Sequence, residues 1–160
     1  MTTLTEVKPS SECELVLTRL IDAPRAALYR CWTEPELLKQ WFAPLPYTTS
    51  RAELDVRPGG SSLVVMQGPD GVQMPNHGVY LEVVPNEKIV FTDSFLSAWV
   101  PNPKPFMTVT LTFEAEAGRT RYTARGVHPT IADRERHEQM GFHQGWGQCA
   151  DQLAVLAKSL

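Results

Sequence analysis

From Tyr47 to Val127 apolar and polar residues alternate, and turn-forming residues cut the alternation at short intervals. That pattern restricts the fold more than any other feature. Pro58-Gly59-Gly60, Pro69-Asp70-Gly71, Pro85-Asn86-Glu87 and Ala117-Gly118 each follow an apolar run and supply the dihedrals that tight turns demand. Six strands are expected, near 47–56, 61–67, 76–84, 87–95, 106–115 and 119–127, with short connections that make neighbours antiparallel. An earlier strand, Cys13 to Ile21, sets Leu15, Leu17 and Ile21 against Glu14 and Thr18. The one long interruption, Leu96 to Pro105, carries three prolines and Trp99, and its apolar residues predict a flap packed against something.

Helices are expected on both sides of this block. Pro24 suits a first helical turn, with Asp22 ahead as a cap, and Thr33-Glu34-Pro35 repeats the start signal. Two short helices, about 24–32 and 34–40, follow. The last segment, Thr130 to Leu160, reads as one long helix capped by Thr130, with Asp133, Glu135 and Glu138 toward its positive end and Lys158 at its negative end. Trp146, Ala150, Leu153, Ala157 and Leu160 trace one apolar stripe. Gly141 and Gly145 interrupt it; close packing against the sheet is the expected reason, ahead of a bend.

Composition narrows the function classes. Apolar residues are 42% and charged residues 21% of 160, and the net charge is −3 without a basic cluster. These values fit a soluble globular chain and argue against nucleic acid or an anionic membrane as partner. Residues 1–12 read as a flexible leader without a signal core, and 13–160 as a single domain. Cys13, Cys31 and Cys149 lack CxxC spacing and read as free thiols in a reducing cytoplasm. His77, His128, His137 and His143 lack metal-ligand spacing, with Glu135, His137 and Glu138 placed on the outer surface. No nucleophile elbow or phosphate-cradling loop is present, so no catalytic residue, metal or cofactor is assigned.

Four features in this order carry a family resemblance: Asp22-Ala23-Pro24, Thr33-Glu34-Pro35-Glu36 with Gln40-Trp41-Phe42, Arg57-Pro58-Gly59-Gly60, and Gly145-Trp146 with Asp151-Gln152-Leu153. The chain resembles the START-like (SRPBCC, Bet v 1-like) superfamily, in the branch named after the carboxy-terminal domain of the activator of Hsp90 ATPase. The resemblance implies an α+β helix-grip fold: about seven curved antiparallel strands around the last helix, with two short helices after the first strand. It also implies a cavity between sheet and helix.

The expected lining is Phe91, Asp93 and Phe95 on one strand, Met107, Val109, Leu111 and Phe113 on another, then Tyr122, with Leu63 and Val65 on an earlier strand. Trp41, Phe42, Trp99 and Trp146 are the aromatic anchors, and loop 96–105 a lid. His77, Tyr80, Asp93, Tyr122 and His143 are the polar candidates. Arg57 is expected to cap a hairpin or pair with a carboxylate. Three functions fit: binding a small hydrophobic or aromatic molecule; an enzyme of cyclase, aromatase or hydrolase type using His143, Asp93 and Tyr122; or a chaperone accessory protein. Exposed sheet edges leave monomer and homodimer both open.

Overall fold

The alternation closes into a single sheet. In the computed structural model, which describes residues 7–97 and 99–160, β1 (Glu14–Ile21) is followed by α1 (Arg25–Thr33) and α2 (Pro35–Leu38). Then come β2 (Thr48–Leu54), β3 (Ser61–Gln67), β4 (Gln73–Val84), β5 (Lys88–Thr92), β6 (Phe95–Ser97), β7 (Val100–Pro101), β8 (Thr108–Glu116) and β9 (Arg119–Val127). Two helices, α3 (Ile131–Gln139) and α4 (Phe142–Lys158), complete the chain. Seven strands form one curved antiparallel sheet in the order β1-β9-β8-β5-β4-β3-β2, with β6 and β7 as a separate hairpin. The expected α+β helix-grip architecture is the observed one.

Register decides which side chains meet. Leu17 lies opposite Ala124, Ala124 opposite Leu111, and Leu111 opposite Ile89, so one row of the inner face runs across four strands. All four are at most 5% exposed. On the edge half, Val64 and Ala52 pair and pack on the core, whereas Leu63 and Val65 belong to the opposite face. The expected inner assignment of Leu63 and Val65 is therefore off by one residue, and with a period of two that exchanges faces.

Turn chemistry holds the edges. The Gly59 N–H donates to Tyr80 O at 2.8 Å and the Tyr80 N–H donates to Gly60 O at 2.9 Å, extending the β3–β4 ladder through the turn. A Cβ on Gly60 would fall 1.9 Å from Asp55 O, so only glycine fits there. Arg57 pairs with Asp55 at 2.9 Å, a structural use of that arginine. In the expected leader, residues 1–6 lie outside the described residues. Lys8 O and Glu12 O accept from Arg125 and Arg134, and the Ser10 N–H donates to Glu14.

Three helix expectations change. Asp22 does not cap α1; Pro24 takes the N-cap position, without a side-chain hydrogen bond. Thr130 does cap its helix, accepting from the Asp133 N–H. The expected single terminal helix is two, because Gly141 adopts φ +102°, a left-handed conformation that ends α3 and starts α4. Close packing explains neither predicted glycine: a Cβ on Gly145 would meet nothing within 4 Å. The glycine that packs closely is Gly147, where a Cβ would come within 2.8 Å of the Arg19 guanidinium. Among the described residues no helix is long and apolar enough to cross a membrane.

Candidate functional site

Leu28, Cys31 and Trp32 fall at i, i+3 and i+4 on α1 and are all buried, so this helix turns one face into the sheet. Trp32 becomes the centre of an aromatic cluster. Its ring centroid lies 4.8 Å from that of Trp41, 5.7 Å from Phe42, 5.8 Å from Phe91 and 6.4 Å from Trp146. Three of these contacts are edge-on or tilted and the one to Trp146 is stacked, arrangements that suit the ring quadrupoles at these spacings. The Trp41 indole donates to Cys31 O at 3.0 Å. Gln152 Nε2 donates to Trp41 O and Ala43 O at 2.8 and 2.9 Å, fastening α4 to the segment after α2. The Asp-Gln-Leu motif of the sequence thus supplies a clamp (Gln152) and a fully buried core residue (Leu153).

The two buried indoles differ. Trp32 Nε1 is buried with no hydrogen-bond partner among the described residues. Behind it, burial pushes the Tyr122 phenol far above its usual range, with the nearby Trp32 indole pulling the other way. The Trp32 indole and the Tyr122 hydroxyl meet in a contact that favours the phenolate as a hydrogen bond does, but that falls short of regular hydrogen-bond geometry. Burial also raises the Cys31 thiol to about 11 and pushes up Cys149, so both stay protonated near neutral pH. All three cysteines are free.

The expected lining residues divide into two groups. The inner face gathers Phe91, Met107, Val109, Leu111, Phe113 and Tyr122, and the helices add Trp41, Phe42 and Trp146. Of these, Trp41, Val109, Leu111, Phe113 and Tyr122 are at most 2% exposed and act as core. Phe42, Phe91 and Trp146 remain half-buried and form a rim around Trp32, and Met107 and Val64 are also half-buried against the same core. The interior between sheet and α4 is largely occupied by these rings. Two open grooves, of about 400 and 520 Å³, lie elsewhere on the surface.

The second group lies away from this centre. Asp93 accepts from the Phe106 N–H at 2.8 and 3.0 Å and from the Met107 N–H at 3.0 Å, which fastens the base of the 93–106 excursion. Phe95 and Trp99 stack edge-on at 5.7 Å, with Trp99 81% exposed. Leu96 and Ser97 share a groove with Glu53, Leu63 and His77, which alternate away from the core. The hairpin is packed, as expected of that loop, but against the outer face of the sheet, not as a lid over the aromatic centre. His143 is exposed, 3.3 Å from Glu138. Asp93, Tyr122 and His143 therefore stand in three separate places and share no acid–base site. His77 is exposed, whereas Tyr80 is buried in the core.

Sequence reasoning missed Trp32, Phe142 and a histidine pair. The i, i+3, i+4 stripe on α1 was a signal for Trp32, and Phe142 precedes Trp146 by one turn on the same stripe. His137 does not face outward; it is buried, and its Nδ1 lies 2.8 Å from His128 Nε2. His128 Nδ1 lies 2.8 Å from Cys13 O, so it donates there, and Phe106 and Phe142 pack on His137. Burial first, and the charge of His128 second, lower the His137 pKa to about 4.

A curved sheet gripping a terminal helix, with two short helices and an aromatic centre between them, defines a helix-grip protein. The chain belongs to the family described as "Activator of Hsp90 ATPase homolog 1-like protein", whose sequence profile matches residues 22–158. Among solved structures it is similar to a protein of Nitrosomonas europaea, with 39% identity over 94% of this chain and 97% of that one and a TM-score of 0.90. A Mycobacterium smegmatis protein is 25% identical over 95% of each chain, with a TM-score of 0.79. An AHSA1-like protein of Aeromonas hydrophila shares the fold at 17% identity, covering 91% of this chain and 92% of that one, with a TM-score of 0.71. No curated protein matches.

Proposed function

We propose that the protein binds a small hydrophobic or aromatic molecule at the mouth between the curved sheet and α4. One observation carries the reading: Phe42, Phe91 and Trp146 stay half-buried around Trp32, packed against a core of residues closed to solvent. An aromatic guest that covered these surfaces would gain about 25 cal/mol per Å² of apolar area removed from water, before the costs of association. The enzyme reading loses its cluster, because its three acid–base residues are dispersed. The chaperone-accessory reading rests on the family's name.

Native mass spectrometry of the purified protein, followed by mass analysis of an organic extract, tests the proposal. A stoichiometric lipophile that is lost on denaturation supports it. An apo mass, together with no perturbation of the rim resonances by an added aromatic compound, overturns it.

A further inference from the structure

The sheet order leaves β2 at one edge, paired with β3 alone. An edge strand offers unpaired backbone groups to any strand that can match it. The Asp55 N–H donates to Ser61 O at 3.0 Å, one step beyond the Leu54–Ser62 pair, and this fixes the phase of the ladder. Arg51 and Glu53 therefore aim their backbone groups at β3, and Ala52 and Leu54 aim theirs out of the sheet. Neither outward N–H has another partner among the described residues. Ser50, Arg51 and Glu53 are exposed, and the irregularity between Thr49 and Arg51 marks where regular pairing stops.

We propose that β2 pairs antiparallel with β2 of a second copy of this chain, about a two-fold axis at Ala52, joining two seven-stranded sheets into one. The order of charges selects both partner and register. With Ala52 opposite itself, the chains exchange N–H···O bonds there. Arg51 of each then lies opposite Glu53 of the other, in the closer, non-hydrogen-bonded pairs. Within one chain Arg51 and Glu53 already meet at 2.9 Å. Pairing turns two such couples into a ring of four alternating charges, and networks gain more than isolated surface pairs do. Moving the axis to Glu53 sets that carboxylate against its own copy. Moving it to Leu54 sets Glu53 against Asp55 and Arg51 against Arg57, like against like. Charged side chains and a bulge guard an edge against indiscriminate pairing. Here their order admits a second copy in one register.

Sedimentation velocity from about 10 μM to about 1 mM reads the association, which is weak because each side contributes one short strand. The native chain is expected to pass from monomer to dimer across this range. Arg51→Glu and Glu53→Arg each set like charges opposite one another at both pairs and should weaken the dimer at least about fourfold. Both side chains are 59% exposed, so each variant should keep the native unfolding midpoint. An equimolar mixture of the two variants is complementary again and should recover dimerisation. A native chain that stays monomeric at the top of the range overturns the proposal. So does a dimer that either variant leaves unchanged, or a mixture that stays monomeric. Amide exchange gives an independent reading. The Ala52 N–H should exchange slowly in the concentrated native protein and fast in Arg51→Glu; equal rates in the two overturn the pairing.

Discussion

At the scale of single residues, backbone conformation and buried charge give the sharpest expectations. Gly145 sits inside α4 facing open space, so Gly145→Ala should stabilise the protein by about 0.5–1 kcal/mol. Gly141, at φ +102°, is the opposite case, and Gly141→Ala should cost about 1–2 kcal/mol. Urea unfolding of the two variants would resolve the opposite signs. His137 adds a pH dependence. Its folded pKa of about 4 lies below the ordinary 6.5, so the unfolded chain takes up a proton that the folded one refuses. The stability from keeping this imidazole neutral is present above pH 6.5 and is lost as pH falls toward 4. For this one group the loss between pH 7 and pH 5 is about 2 kcal/mol. His137→Gln, which keeps a donor near His128, should remove most of that difference in denaturation midpoints compared at the two pH values.

At the scale of elements, α4 and the β6–β7 hairpin make contrasting predictions. Phe142 opens α4, is 2% exposed and packs on His137 and Trp146, so Phe142→Ala should cost about 3–5 kcal/mol in thermal or urea unfolding. Trp99, for all its size, is 81% exposed, and Trp99→Ala should change stability by less than about 0.5 kcal/mol and leave binding of an aromatic compound at the mouth unaltered. The sequence made the elements legible where period and punctuation agreed: the strand block, the proline-started helices and the Thr130 cap. It hid the split between α3 and α4, because a left-handed glycine and a closely packed one look alike in one sequence. The small hairpin was hidden as well, since three prolines mask strand propensity and β7 is only two residues long.

At the scale of the molecule, the fold was legible because alternation, turn residues and the terminal apolar stripe all demand the same layers. The candidate site was legible only in part. Apolar content found Phe91, Met107 and Trp146, but register put Leu63 and Val65 on the wrong face, and local polarity drew attention to Asp93 and His143, whose roles are structural contacts. The α1 stripe marks Trp32 as buried, but its central place among four aromatic rings comes from three other elements of the fold, which its own spacing does not encode.

The seat of the hairpin on the outer face has a kinetic consequence. Seated there, the hairpin lays no flap across the aromatic mouth, and the residence time of a guest bound as proposed follows from its Kd and association rate constant. For a Kd of about 1 μM and an association rate constant of about 10⁶ M⁻¹s⁻¹, that time is roughly one second. On the proposed binding function, the protein would exchange its cargo with the surrounding pool continuously and work as a buffer more than as a store.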